Sequence, residues 1–481
     1  NDYERGSEAP QALYSPLSYG DNLHYEKFAD GSVKCIEDEI PFDLPDGWAW
    51  ARLQSITSIL TDGTHKTPKY SDKGYIFLSS RNVTSGKIDW DNIAYIPEAL
   101  HHELYTRISP KVGDILLAKN GTTGVAAIVD REEVFDIYVS LALIRIVENT
   151  VDPIYVLRAI ESSFIQDCFK SSLKGIGVPN LHLEHIRKTL LPIPPHSEQN
   201  RIISKADMLL ALVEQILIAE NKLHHLVSAS KSKILDLAIH GKLVPQDPND
   251  EPASVLLERI RVEKEELIKQ GKIKREKKES IIFRGEDNSY YVRQDTHTEF
   301  IDEQFIFELP ENWKWCSLLN IAKIELGKTL DSAKNIGTNH PYLRSVNVRW
   351  NEVDLSDLKE MRFEPEELDR YTVRQNDLLI CEGGDVGRSC VWTDEREILY
   401  QNALHRVRFY GGCNPFYFMY YMMYYESRGI IKALCKGVTI KHLTGNVLSL
   451  IPFALPPIEE QGRIVERLNR IFVLLDSIIY D

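Results

Sequence analysis

Side chains able to grip a polyanion or read a base edge recur at the ends of short apolar runs. Arg81 and Asn82 follow Phe77-Leu78-Ser79-Ser80, while Arg344, Asn347 and Arg349 follow Pro341-Tyr342-Leu343. Arginine can pair with guanine and asparagine with adenine in a major groove, so these types at strand ends suit base contacts. A buried structural role is the other reading of Asn82 and Asn347, because the duplicated segment keeps the amide. The turn Thr61-Asp62-Gly63-Thr64-His65-Lys66-Thr67-Pro68 gathers donors around one glycine, with Gly327-Lys328-Thr329 as its counterpart. His65, Lys66, Lys69 and Lys328 suit phosphate, and backbone capping accounts equally for the Asp and Thr. Two glycine turns, Lys119-Asn120-Gly121-Thr122-Thr123-Gly124 and Glu382-Gly383-Gly384-Asp385-Val386-Gly387-Arg388, each follow an apolar run. They are either plain hairpins or loops that aim Lys119, Asn120, Thr122 and Arg388 at nucleic acid. Lys174, Lys436 and Lys441 complete the candidate contacts.

Covalent chemistry finds no comparable set. Asn414-Pro415-Phe416-Tyr417 resembles the base-holding Asn-Pro-Pro-Tyr motif of amino-methyltransferases, but its third residue differs and its counterpart, Asp152-Pro153-Ile154-Tyr155, lacks the amide. Both read as helix starts with proline in the first turn. The turn Gly383 to Ser389 has an arginine where a phosphate-binding loop needs lysine and is one residue short. His182 and His185, and His224 with His225, have no Cys or carboxylate at ligand spacing. The seven cysteines are scattered and never spaced as CxxC, as expected of reduced thiols rather than a disulfide frame.

The elements that must position these residues occur twice. Pro-Phe-Asp-Leu-Pro-Asp-Gly-Trp48-Ala-Trp50 is answered by Phe-Glu-Leu-Pro-Glu-Asn-Trp313-Lys-Trp315, Phe77 to Val83 by Tyr342 to Val348, and Val112 to Gly124 by Gln375 to Gly387. Each copy strings together short apolar runs broken by Gly, Pro, Asn and Asp, the grammar of a mainly β domain, and ends in the same signature: Pro194-Pro195-His-Ser-Glu-Gln-Asn-Arg-Ile202 and Pro456-Pro457-Ile-Glu-Glu-Gln-Gly-Arg-Ile464. After the first, Ile202, Ala206, Leu209, Val213, Ile216, Glu220, Leu223, Val227, Ser230, Ile234 and Leu237 alternate steps of four and three, a coiled-coil seam. Some 40 residues of helix make a rod of roughly 60 Å. Ile464, Leu468, Ile471, Leu475 and Ile478 keep the same register after the second signature, so the two helices are expected to pack antiparallel, with Ile202, Leu209, Val213, Ile216 and Leu223 facing Ile464, Leu468, Ile471 and Leu475.

A net charge of −14 argues against coating nucleic acid by bulk electrostatics, yet leaves room for local basic loops. The most basic run, Lys272, Lys274, Arg275, Lys277 and Lys278, is either a solvated linker or a strip that touches phosphate or a partner. No apolar run approaches the length of a membrane span, and the first residues lack the pattern of a secretory leader.

Taken in order and in duplicate, the LPDGWAW and LPENWKW openings, VGDILLAKNGTTG and NDLLICEGGDVG, PPHSEQNRI and PPIEEQGRI, and AIHGKLVPQDPNDEPA after the first rod resemble the specificity subunits of type I restriction-modification enzymes. The resemblance implies an α+β chain: two duplicated mainly-β target-recognition domains separated by two long antiparallel coiled-coil helices. The corresponding boundaries are a first recognition domain over 1–195, a central conserved helix over 196–243, a linker and basic helical segment over 244–282, a second recognition domain over 283–457 and a distal conserved helix over 458–481. It further implies a non-catalytic reader of double-stranded DNA, each domain taking half of a bipartite asymmetric target, in a prokaryotic cytoplasm. Two methyltransferase subunits would dock on the helices and restriction/translocase subunits would join them. S-adenosylmethionine, ATP and Mg would reside in those partners, with no cofactor in this chain and no membrane partner. The second rod ends at Asp481 and the chain opens on Asn1, so the sequence reads as trimmed or naturally short. The competing readings are a protein-binding scaffold built of duplicated domains and a self-contained methyltransferase or restriction enzyme.

Overall fold

The computed structural model describes residues 23–28, 30–173, 180–275, 280–294, 297–301, 307–331, 335–435 and 442–480. They fall into two compact units, Asn1–Leu217 and Ile218–Asp481.

In the first unit an antiparallel sheet has the order Thr57–Asp62, Leu141–Ile146, Ile115–Ala118, Ala126–Ile128. Both its faces are covered. Ile115, Leu117, Ala142 and Ile144 meet Val156 and Ile160 of the helix Pro153–Glu161, while Leu116, Ala118, Leu141 and Leu143 meet Leu78, Phe135 and Ile137. Strand side chains alternate with a period of two, so burial on both faces is what turns Ile-Leu-Leu-Ala into an unbroken apolar run. Leu78, Phe135 and Ile137 belong to a second sheet, Ala94–Ile96, Tyr75–Leu78, Phe135–Ile137, whose last pair is parallel.

The second unit repeats this plan. Its first sheet runs Ala322–Leu326, Leu404–Phe409, Leu378–Cys381, Ser389–Val391, and its second runs Lys359–Phe363, Thr338–Leu343, Ile398–Tyr400, Thr372–Val373, with Thr338–Leu343 parallel to Ile398–Tyr400. Even the buried charges match: Arg145 clasps Asp114 at 2.7 Å and Arg408 clasps Asp377 at 2.6 Å.

The paired signatures close each unit. Gln199 accepts from the Asp152 backbone N–H at 2.8 Å and donates to the Pro194 carbonyl at 3.0 Å; Gln461 does the same with Asn414 and Pro456 at the same two distances. Trp48 donates to Glu198 at 3.2 Å and Trp313 to Glu460 at 2.9 Å. Asp152 and Asn414 each cap a helix by accepting from the N–H two residues on. Tyr417 is buried against the Ala454 carbonyl at 2.7 Å. The Asn-Pro-Phe-Tyr sequence is therefore a helix cap with a core tyrosine, not a base-holding motif.

Helix α1, His196–Ile239, follows the first signature and α2, Ile458–Tyr480, follows the second. Within the second unit α2 runs antiparallel to residues 218–239. Lys231 Nζ lies 2.5 Å from Asp476 and over the ring of Phe472, and Leu235, Ala238 and Ile239 share a core with Ile464, Val465, Leu468 and Phe472. The expected register is corrected here. Ile464 and Leu468 are fully buried, but Leu209, Val213, Ile216 and Leu223 are exposed and Ile202 packs, half-buried, on the core of the first unit. Ile471 and Leu475 are half-buried. Antiparallel pairing brings α2 to the C-terminal end of α1, because both helices enter the second unit there. Among the described residues no helix is long and apolar enough to cross a membrane, and all seven cysteines are free thiols.

Candidate nucleic-acid interface

In the first unit three segments meet at one edge. Thr64 bridges to Tyr138 just beyond Thr57–Asp62, and the short turn Ser80–Val83 follows Tyr75–Leu78. The hairpin turn at Gly121 lies against Ser80, whose side-chain oxygen stands 3.9 Å from where a Gly121 Cβ would be. Gly63 is obligatory there, since its Cβ would fall 2.0 Å from the Ile137 carbonyl oxygen. Lys66, Lys69, Arg81 and Thr122 are exposed on these segments and Asn120 is half-buried, bridged to Asn180. His65 is exposed with Nε2 3.4 Å from Asp62.

Lys119 departs from the expected surface contact. The residue is 6% exposed and its ammonium lies 2.5 Å from Asp62, itself buried, so the pair is part of the scaffold. A buried carboxylate needs its counter-ion, and Asp62 has Arg107 at 3.8 Å as a second cation.

The second unit builds the same edge with different ions. Lys328, also 6% exposed, pairs with Glu367 and covers the Phe363 ring at 5.1 Å. Burial works to raise the Glu367 carboxyl, but hydrogen bonds from Lys328 and the Glu364 backbone hold it below the ordinary range. Arg344 is tied to Asp357 at 2.7 Å, and Arg388 pairs with Asp385 and donates to the Ser345 carbonyl at 3.0 Å. Lys328, Arg344 and Arg388 are thus corrected from free contacts to braces, each bonded to a nearby oxygen. Arg349 is exposed. Lys174, Lys436, Lys441, Lys277 and Lys278 lie outside the described residues. The glycine turns are hairpins in both units: Gly124 donates to the Ala118 carbonyl and Gly387 to that of Cys381, each at 2.9 Å.

A hollow of about 410 Å³ opens beside the second hairpin, lined by Trp350, Asp385, Arg388, Glu426 and Lys432, with acids and bases interleaved. Among the described residues no cluster of three or more His, Cys, Asp or Glu could hold a metal. Reading the residue types alone missed the acids, Asp62, Glu367, Asp357 and Asp385, that neutralise the candidate cations. Asp385 in its Asp-x-x-Arg turn was the one local signal.

The fold and its edges define a class: duplicated mainly-β recognition units on long helices, with different ions at their matching edges. The chain belongs to the family of the type I restriction modification DNA specificity domain, whose model matches residues 45–224 and 310–478. It is 26% identical to the EcoAI type I restriction enzyme specificity subunit of Escherichia coli, over 92% of this chain and 80% of that protein. Identity to the EcoKI specificity subunit of Escherichia coli strain K12 is 22%, over 90% and 84%. A solved chain from work on complex assembly and conformational transition of the type I R-M system shares the fold, with a TM-score of 0.59 at 18% identity over 92% of this chain and 94% of that one. The chain is a specificity subunit of a type I restriction-modification system, carrying DNA sequence recognition domains, and belongs to the non-catalytic components of such complexes.

Proposed function

We propose that each unit reads one half of a bipartite, asymmetric double-stranded DNA target, using the turns after Thr57–Asp62 and Tyr75–Leu78 in the first unit and their counterparts in the second. One observation carries this reading: two units with the same strand order in their first sheet and matching buried bonds differ in the exposed residues of the reading edge. A shared scaffold with divergent tips is what two different half-sites require. His65, Lys66, Lys69, Arg81 and Thr122 are the exposed candidates in the first unit and Arg349 in the second.

The helices fix the spacer between half-sites and dock methyltransferase subunits, two in the full complex, with restriction/translocase subunits joining them. The apolar side chains of Leu209, Leu210, Leu212, Val213, Ile216 and Leu217, all exposed, support docking on α1, since so large an apolar patch on a helix marks a contact surface. S-adenosylmethionine, ATP and Mg act in those partners, in the cytoplasm of a prokaryotic cell. Selection of duplexes from a random pool, with and without methyltransferase subunits, tests the proposal. An enriched sequence of two short blocks around a fixed gap is expected; no enrichment at low salt would sink it.

A further inference from the structure

The two units contain one turn held by the same set of asparagine bonds and different in the residue it presents outward. In the first, Asn82 accepts from the Ser79 N–H at 2.9 Å and donates to the carbonyls of Asp89 and Asn92 at 3.3 and 3.0 Å. In the second, Asn347 accepts from the Arg344 N–H at 2.9 Å and donates to Asp354 and Asp357 at 2.9 and 3.1 Å. The return bonds, Asp89 N–H to Asn82 and Asp354 N–H to Asn347, are both 2.7 Å. Both asparagines are buried, so the two backbones are locked alike. Each turn also abuts its glycine hairpin, through Ser80 against Gly121 and through the Ser345 carbonyl against Arg388.

Between serine and asparagine stands the one residue that this lock leaves outward and that changes character: Arg81 in the first unit, Val346 in the second, the latter 52% exposed. Val346 is an exposed apolar tip on this edge, as Leu330 is on the neighbouring turn. In the major groove thymine alone carries a methyl group, and guanine carries the acceptor pair that suits arginine. We infer that position 346 determines specificity in the second unit, the Val346 isopropyl group packing on the 5-methyl of a thymine, where the first unit presents Arg81 to a guanine edge. The inference rests on the proposed reading of DNA.

A singly exposed valine is ordinary on a protein surface, so the test must couple the side chain to the methyl. The full chain with its methyltransferase subunits is bound to duplexes enriched from a random pool, and each thymine is replaced in turn by deoxyuridine, which lacks only the methyl. At one thymine in one half-site the replacement weakens binding about fourfold, the worth of one buried methyl group. The Val346→Ala variant loses that difference and Arg81→Ala keeps it. If uracil costs the same for the wild type and Val346→Ala at every position, the inference is overturned while an enriched sequence leaves the reading of DNA standing. No enriched sequence overturns both.

Discussion

The indole Nε1 of Trp313 donates to Oε2 of Glu460 at 2.9 Å, 147 positions apart in the chain, and both residues are buried. Glu460 also accepts from Gln246 at 2.5 Å, and burial raises its carboxyl above the ordinary range despite these donors. The bond joins the entrance of the second recognition unit to the start of α2. Trp48 and Glu198 make the same bond at 3.2 Å, but both are half-buried. Truncating a buried tryptophan typically costs about 3–5 kcal/mol. Trp313→Ala is therefore expected to lower stability by that amount and Trp48→Ala by less, as read from denaturant midpoints.

Lys119→Ala should destabilise the first unit rather than merely weaken DNA binding. It strips Asp62 of its closest cation in a buried site, a loss of about 3–5 kcal/mol for pairs of this kind. Lys66→Ala, on the exposed turn nearby, is expected to leave the melting temperature unchanged and lower affinity with a shallower salt dependence. Equal melting temperatures for the two variants would refute the distinction.

The duplication, the alternation of strands and long helices and the caps at Asp152 and Asn414 were legible because local pattern dictates them. Candidate cations were legible only as types. Whether Lys119 reaches solvent depends on Asp62, 57 positions away across the sheet, and no spacing rule announces such a partner. The heptad was equally real but ambiguous: a repeating apolar seam states that a helix has a face and leaves open which stretch of it is covered.

That ambiguity gives a direct contrast. Leu468 is fully buried against α1, whereas Ile216 is 57% exposed. Leu468→Ala is expected to cost about 2–5 kcal/mol, and Ile216→Ala to stay within about 0.5 kcal/mol in the chain alone. If Ile216→Ala instead weakens capture of the methyltransferase subunit in a pull-down, the exposed stretch of α1 is its dock.

Acid should loosen the second unit before carboxylates titrate. Burial lowers the His405 imidazole below its ordinary value, against the hydrogen bond of Nε2 to the Leu443 carbonyl at 2.8 Å and the charge of Glu382, which both work in the opposite direction. A folded pKa below the unfolded value of about 6.5 means that the unfolded chain binds the extra proton. The stabilising contribution is complete above that pH and is lost as pH falls through the folded value. Melting temperatures measured from pH 7.5 to 5 should show this fall, and His405→Gln should flatten it; an unchanged slope would count against His405 as the source.

Gly63 and Gly327 sit where one strand end crosses the backbone of another, and neither has room for a side chain. A Cβ on Gly63 would stand 2.0 Å from the Ile137 carbonyl oxygen, and one on Gly327 would stand 2.3 Å from the Gln401 carbonyl carbon. Backbone cannot swing aside as a flexible side chain can, so alanine at either position must push apart the sheet ends that carry the reading turns. Gly63→Ala is expected to disturb the first recognition unit and Gly327→Ala the second. Gly384, with nothing within 4 Å of its Cβ, owes its place only to a φ of 77°, so Gly384→Ala should cost roughly 1 kcal/mol, the ordinary penalty of a left-handed residue. Amide hydrogen exchange on the full chain would separate these cases: lost protection confined to one unit for each crowded glycine, and near-native protection for Gly384→Ala. Protection unchanged in Gly63→Ala would show that the crossing yields.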